Sequence, residues 1–137
     1  MTETPSTDFA NSGWFARWVE VINEDAEITR LGQFFDGRMC IQVDDDKFIL
    51  VVNRGRVIDL LENALWDRPF DFKIAATRDV WWHSVQPVPR PFYQDIFGMM
   101  WNHGMTLEGN VVTAMQHIRV VKLMLAAMKR VGDPVQV

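Results

Sequence analysis

The histidines are the side chains of this sequence with the widest range of chemistry, and they are His83, His103 and His117. No two of them have the spacing that lets one helix present both to a zinc ion, so the sequence predicts no zinc site. His83 follows Asp79 by four residues, which places the two on one face of a helix. An Asp–His pair can orient a general base, although a capping or surface pair also has this spacing.

The remaining reactive motifs favour structural roles. Three consecutive aspartates at 44–46 lack the spacing and the distal glutamate of a calcium-binding loop, and they predict a solvated hairpin turn. Cys40 is the only cysteine, so no internal disulfide can form, and its apolar neighbours predict an unreactive core thiol. The glycines form no phosphate-binding loop, and no serine occupies a nucleophile elbow. We therefore expect no metal, no cofactor and no catalytic residue.

Length and charge narrow the possible functions. The chain has 137 residues, enough for one domain with a core and a modest cavity. Its net charge is −4 and no basic stripe is present, which argues against nucleic-acid binding. No apolar run reaches the roughly eighteen residues of a transmembrane helix. We expect a disordered N-terminus at 1–7, a single domain over 8–132, a C-terminal tail at 133–137 and a cytoplasmic location.

The first part of the sequence has the apolar period of helices. The spacing predicts a helix from Trp14 to Ile22 with Asp8 as its N-cap. A second helix follows, with Asn23 as its predicted N-cap and an apolar stripe that ends at Phe35.

The middle of the sequence has the period of strands. Alternation or continuous apolar runs predict strands at 38–43, 48–52, 57–65 and 70–76. A turn at 53–56 joins the second strand to the third. Close linkage of this kind predicts an antiparallel meander.

Helices return in the last part. Thr77 caps a short helix, and Pro-rich sequence leads into a helix over 92–103 that Gly104 ends. Residues 105–107 add a short strand, and a final helix covers 109–132. The predicted fold class is α+β: a mainly antiparallel sheet of about five strands with helices packed on one face, enclosing an apolar tunnel.

Large apolar side chains are unusually frequent, with 6 Trp, 9 Phe and 8 Met. The helix predicted over 92–103 is apolar almost all round, so it must be covered on several sides or face a pocket. Aromatic and Met side chains line pockets for apolar ligands. His117 borders the apolar stripe of Ile118, Val121 and Met124 in the final helix, where it could be a core or boundary residue or could hydrogen-bond a ligand headgroup. The predicted ligand-binding residues are Trp81, Trp82, Phe92, Phe97, Met100, Trp101, Met105, Met115, His117, Ile118 and Val121. The alternative is that these side chains pack on each other in a filled core.

Four passages, taken in order, resemble a known family. They are 35–38 (FDGR), 48–56 (the second strand and its turn), 70–81 (a strand and an acidic-aromatic helix start) and 105–114 (MTLEGN and the start of the final helix). Together they span most of residues 35–130. In them the chain resembles the sterol carrier protein family, the type-two non-specific lipid-transfer domains. The segment between the third and fourth passages is richer in proline and aromatic residues than is usual in that family.

The resemblance implies a five-stranded sheet, with a tunnel beneath its helices that takes fatty acyl chains, acyl-CoA, sterols or similar molecules. Members of the family also occur fused to enzymes or beside them. It therefore implies a carrier that binds an apolar small molecule or lipid. It leaves open a partner enzyme, a transient membrane contact, and a monomer or a homodimer.

Two other functions stay open. An interaction module would use a patch of exposed tryptophans, with candidates Trp14, Trp18, Trp66 and Trp101. A small enzyme would use polar groups of the same cavity, with candidates Asp79, His83, Asp95, His103 and His117.

Overall fold

A computed structural model describes residues 9–62 and 69–131. The predictions for 1–7 and 133–137, and for Asp8 as a cap, lie outside this part of the chain. The described elements, in chain order, are α1 (Ser12–Glu24), α2 (Ala26–Leu31), β1 (Gly37–Val43), β2 (Asp46–Asn53), β3 (Arg56–Glu62), β4 (Phe72–Ala76), α3 (Arg78–Ser84), α4 (Ile96–Asn102), β5 (Thr106–Gly109), α5 (Val111–Gln116), α6 (Ile118–Ala126) and a 3-10 helix (Ala127–Arg130).

The five strands form one sheet in the order β3-β2-β1-β4-β5. The pairs β1–β2, β2–β3 and β4–β5 are antiparallel, whereas β1 and β4 are parallel. The predicted α+β fold with a mainly antiparallel five-stranded sheet is thus confirmed, and the meander covers β1 to β3. The sheet is mixed because β4 adds beside β1 instead of extending the meander past β3. This order gives the apolar β1 a partner on both edges.

One face of the sheet carries the main core. Ile41 pairs with Phe48 on one side and with Ile74 on the other, so their side chains share that face. Phe15 of α1 stacks on Phe48 with ring centroids 3.8 Å apart. Trp18, one turn further along α1, is fully buried, and its indole N–H donates to the carbonyl of Met124 in α6 at 2.8 Å. The helices are therefore locked onto this face by aromatic packing and a buried hydrogen bond.

The side chains that cap the first two helices differ from the predicted ones. Asn11 caps α1 by accepting a hydrogen bond from the Trp14 N–H. Asp25, not Asn23, caps α2, and its carboxylate accepts from two backbone N–H groups of the first turn. The Asn23 amide instead bonds both backbone polar groups of Val57. Because the Asn23 side chain already makes these two hydrogen bonds between α1 and β3, it does not cap the next helix.

Two predicted helices are shorter than expected. α4 begins at Ile96, because Asp95 before it is extended. Phe92, with a positive φ of 70°, is also outside any right-handed helix. The predicted final helix is divided into α5 and α6 at His117, whose ring stacks on Phe35 with centroids 4.7 Å apart. Gly104, with a φ of 78°, follows α4 as predicted.

A close approach of two glycines joins α2 to the sheet. Gly55 lies in the β2–β3 turn with a φ of 79°, and a Cβ at that position would lie 2.9 Å from the backbone carbonyl of Gly32. The end of α2 can therefore lie directly on the turn only because neither residue has a side chain. In the described part of the chain, no helix has the length and hydropathy to cross a bilayer.

Candidate ligand-binding site

A cavity of about 430 Å³ lies among α2, α3, α6 and the segment that enters α4. This volume falls within the range of small-molecule sites in proteins, roughly 300–1,000 Å³. Its lining residues are Glu27, Leu31, Trp81, Ser84, Tyr93, Gln94, Asp95, Ile96, Met99, Arg119, Lys122, Leu123, Leu125, Ala126 and Lys129. Most of the interior surface is apolar, and the charged members are partly or fully exposed at its rim.

Helix periodicity directs the apolar wall inward. Ile96 and Met99 lie three residues apart on α4, and both are buried. Leu123 and Leu125 of α6 contribute from the other side. Trp81 of α3 is buried, and its indole N–H donates to the carbonyl of Gln42 in β1 at 2.9 Å. Because this polar atom is satisfied by the sheet, the indole can present an apolar surface to the cavity.

The rim of the cavity is basic along α6. Arg119, Lys122 and Lys129 recur on the face of α6 and the following 3-10 helix that borders the opening. The Lys122 ammonium lies 3.2 Å from a carboxylate oxygen of Asp95 and 5.1 Å from the ring centre of Phe97. Among the described residues, no carboxylate pairs with Arg119 or Lys129. Two cationic groups are thus available to an anionic ligand at the mouth.

An ion pair joins two of the helical segments that border the cavity. Arg130 contacts Asp25 at 2.6 Å, which holds the 3-10 helix to the start of α2. The hydrogen bond from Arg130 lowers the pKa of the Asp25 carboxyl, and the backbone N–H groups of Ile28 and Glu27 lower it further. Asp25 therefore combines a helix cap with a link between the two helical segments that border the cavity.

A stack of rings holds the segment before α4 against α3. The Tyr93 ring, which lines the cavity, stacks on His103 with centroids 3.7 Å apart and lies 5.0 Å from the His83 ring. His83 is buried, and its Nε2 lies 3.6 Å from a carboxylate oxygen of Asp79. Asp79 and His83, which are four residues apart in the sequence, therefore lie side by side in the structure. The His83 ring is also next to the Tyr93 ring.

Of the eleven predicted ligand-binding residues, Trp81 alone lines this cavity. Phe97 and Met100 of α4 are half-buried, as are Ile118 of α6 and Trp82, which packs on the ring of Phe9. Met105 and Val121 are buried in the core. His117 is half-buried and stacks on Phe35. Phe92, Trp101 and Met115 are exposed. A ligand-binding role stays a prediction for all eleven residues.

Sequence reasoning missed most of the apolar wall, above all Leu31, Tyr93, Ile96, Met99, Leu123 and Leu125. The signal that could have found Leu123 and Leu125 is the width of the apolar arc on α6. The apolar part of the α6 surface that includes Leu123 and Leu125 is wider than the part that can pack on the sheet. The remainder must therefore border another element or a cavity.

Of the candidates for the enzyme hypothesis, Asp95 alone lines the cavity, and it pairs with Lys122. His83, with Asp79 beside it, and His103 lie next to the Tyr93 ring, and His117 stacks on Phe35. Over residues 9–62 and 69–131, no three His, Cys, Asp or Glu side chains cluster as metal ligands. Cys40 is fully buried, and this burial raises the pKa of its thiol.

The proposed patch of exposed tryptophans is wrong for two of its members. Trp14 and Trp18 are both buried, because the apolar face of α1 is the face that packs on the sheet. Trp66 lies outside the described residues. Trp101 is 86% exposed.

Known proteins resemble this chain in structure. No protein-family model matches the chain, and no curated protein matches it. A crystal structure of sterol carrier protein 2 superposes with a TM-score of 0.73, covering 89% of this chain and 98% of that one at 11% identity. The chain has the fold of sterol carrier protein 2. A conserved hypothetical protein from Thermus thermophilus, described as possibly a sterol carrier protein, gives a TM-score of 0.69 at 13% identity, with 96% and 95% of the two chains covered.

A third neighbour with the sterol carrier fold is described as a UbiJ-SCP2 ubiquinone synthesis protein. It gives a TM-score of 0.59 at 13% identity and covers 96% of this chain and 98% of its own. The resemblance seen in the sequence is therefore confirmed at the level of the fold. At these identities, the ligand and the site residues of this chain must be argued from its own side chains.

Proposed function

We propose that this protein binds a lipid-like molecule in the cavity among α2, α3, α4 and α6, and carries or presents it. The observation that carries the proposal is a cavity of about 430 Å³ with an apolar wall on a complete sterol carrier fold. Each ligand methylene that leaves water contributes about 0.8 kcal/mol. Burial of six such groups would contribute about 5 kcal/mol before the costs of association.

The rim favours a ligand with an anionic head. Arg119 and Lys129 have no carboxylate partner among the described residues, and both border the opening. An acyl chain in the cavity would place its carboxylate or phosphate-bearing end beside these cations. A neutral sterol would offer them only a hydroxyl oxygen, a weaker acceptor than a carboxylate or phosphate. Within the predicted ligand classes, we therefore favour fatty acyl and acyl-CoA molecules.

The proposed role is binding, not catalysis, because the cavity brings no nucleophile and base together among the residues described. Asp95 is the one candidate acid of the enzyme hypothesis that lines it, and this carboxylate is paired with Lys122. A through-going tunnel and a cytoplasmic location stay predictions. So does an accessory role beside an enzyme, for which the ubiquinone synthesis neighbour is the supporting observation.

The first test fills the cavity from its edge. Ala126 is an exposed residue that lines the opening, so Ala126→Trp places an indole there without disturbing the core. We expect this variant to lose binding of a fluorescent fatty acid in titrations and to lose lipid adducts in native mass spectrometry. Ala16→Trp is the matched control, because Ala16 is an exposed helical alanine of α1 away from the cavity. Equal binding by the two variants would contradict this site.

The second test asks whether Arg119 and Lys129 bind the anionic headgroup of the ligand. The double variant Arg119→Gln/Lys129→Gln removes two exposed cations, each worth about 0.2–1 kcal/mol to an exposed ion pair. We expect affinity for a fatty acid to fall roughly 2- to 30-fold, while affinity for its methyl ester stays unchanged. Arg54→Gln, in the β2–β3 turn, is the control for a general loss of charge. An equal loss for acid and ester would overturn the assignment of the head to this rim.

A further inference from the structure

One ion pair joins two walls of the cavity at its rim. The Lys122 ammonium of α6 lies 3.2 Å from a carboxylate oxygen of Asp95, the residue before α4, and both residues line the cavity. Each of the two side chains is 44% exposed, so the pair borders solvent. Lys122 also lies over the ring of Phe97, 5.1 Å from its centre. This second contact holds the ammonium at the rim independently of Asp95.

Asp95 has a second possible partner at the start of its own helix. It is the N-cap residue of α4, with the extended backbone that a capping residue adopts (φ −144°, ψ 146°). Within the described chain, its carboxylate nevertheless accepts no capping hydrogen bond from the first turn of α4. Aspartate is among the strongest N-cap residues, so these backbone N–H groups are suitable donors for it. Because the backbone already has the capping conformation, rotation of one side chain is sufficient to exchange Lys122 for α4.

An anionic ligand head at the rim would approach the same ammonium. Arg119, which has no carboxylate partner among the described residues, precedes Lys122 by three residues, or about 4.5 Å along the axis of α6. A carboxylate or phosphate beside Arg119 therefore has Lys122 as its next cation. The Asp95 carboxylate occupies that cation and repels a second anion. Binding of the head to Lys122 thus requires Asp95 to leave.

We propose that Asp95 is an internal competitor of the anionic ligand head for Lys122, and that the displaced carboxylate caps α4. This role rests on the proposed function, since it belongs to the same site. A carboxylate or phosphate head replaces Asp95 on Lys122, and the new hydrogen bonds at the start of α4 offset part of the lost ion pair. A neutral head does not replace it, so Asp95 and Lys122 stay paired at the rim. Asp95 therefore makes binding depend on the charge of the head.

The test compares the binding of a fluorescent fatty acid and of its methyl ester by the whole protein. Asp95→Asn removes the competing charge and keeps a side chain that caps helices well. We expect its affinity for the acid to rise about 1.5- to 5-fold, the range that corresponds to an exposed ion pair, while its affinity for the ester stays unchanged. Asp95→Glu keeps the charge but is not one of the preferred N-cap residues, so its affinity for the acid should not exceed that of the unchanged protein.

Glu108→Gln is the matched control, because Glu108 also pairs with a lysine, Lys73, at 3.7 Å and does not line the cavity. It should bind both ligands like the unchanged protein. If Glu108→Gln raises the affinity for the acid as much as Asp95→Asn does, the gain comes from the net charge and the competition is refuted.

Nuclear magnetic resonance tests the movement of Asp95 without a ligand. Lys122→Gln frees the carboxylate, so the amide protons of Phe97 and Gly98, in the first turn of α4, should shift downfield as they gain the cap. The double variant Asp95→Ala/Lys122→Gln should lack this shift. The competition is refuted on its own if the unchanged protein binds the acid and Asp95→Asn binds it no better, or if these amide protons do not respond. If no variant binds the acid, the proposed function fails and the competition fails with it.

Discussion

Trp18 and Trp101 are two tryptophans of one chain in opposite environments, and a matched pair of substitutions measures the difference. Trp18 is fully buried and its indole N–H donates to the Met124 carbonyl, whereas Trp101 is exposed. Trp18→Phe leaves that carbonyl without its donor, which costs about 1–3 kcal/mol. The space vacated by the smaller ring costs about 1–2 kcal/mol more, less than the roughly 3–5 kcal/mol of a full truncation to Ala.

We therefore expect Trp18→Phe to lower the free energy of unfolding by about 2–5 kcal/mol, a large share of the roughly 5–15 kcal/mol typical of a domain. Trp101→Phe should change it by less than about 0.5 kcal/mol. Urea unfolding followed by far-ultraviolet circular dichroism is the assay, because a fluorescence signal would itself change with each substitution. A loss below about 1 kcal/mol for Trp18→Phe, or an equal loss for both variants, would refute the assigned burial and hydrogen bond.

Three further predictions concern other parts of the fold. Gly55→Ala should destabilise by about 1–3 kcal/mol in the same assay, because it adds a Cβ where the φ is positive and Gly32 is in contact; an unchanged midpoint would contradict this close approach. The lowered pKa of Asp25 gives stability that is fully present above its ordinary value of 3.8 and is lost as the pH falls through the folded-state pKa. Asp25→Asn should therefore lose less stability than the unchanged protein between neutral and acid pH, which acid titration followed by circular dichroism can check. Cys40, buried and with a raised thiol pKa, should react with a thiol reagent in urea and not in the native protein; fast native labelling would show that it is accessible.

Local pattern was sufficient for much of the fold. Alternation of apolar and polar residues located β1, and a continuous apolar run located β2, each to within two residues, because both patterns belong to a single strand. Thr77 was identified as a helix cap because capping depends on the adjacent backbone alone. The parallel pairing of β1 with β4 depends on contacts between segments 33 residues apart, as for Met39 and Phe72. No local pattern contains that information.

The site was harder to predict than the fold. A run of aromatic and Met residues indicates surplus apolar surface, but it does not say which side chains face a cavity, the core or solvent. Trp81 and Trp101 look alike in sequence, yet one is buried on the cavity wall and the other is exposed. Trp81 lies on the buried face of α3, whereas Trp101 lies on the face of α4 opposite the buried Ile96 and Met99. The late start of α4 was also missed, because Phe92 before it has a positive φ. Sequence-based periodicity does not detect such a residue, because non-glycine residues rarely adopt that conformation.

The mixed sheet also has a consequence for the order of folding. The meander β1–β3 closes through short hairpins, whereas the β1–β4 pair must close a much longer loop before it gains any contact. The cavity is bordered by residues from Glu27 of α2 to Lys129 of the 3-10 helix, so it exists only once these two distant segments have met. Any molecule that binds there therefore recognises the completed fold and not its early intermediates. Such a ligand stabilises the native state by RT ln(1 + L/Kd), a gain that grows with its free concentration L.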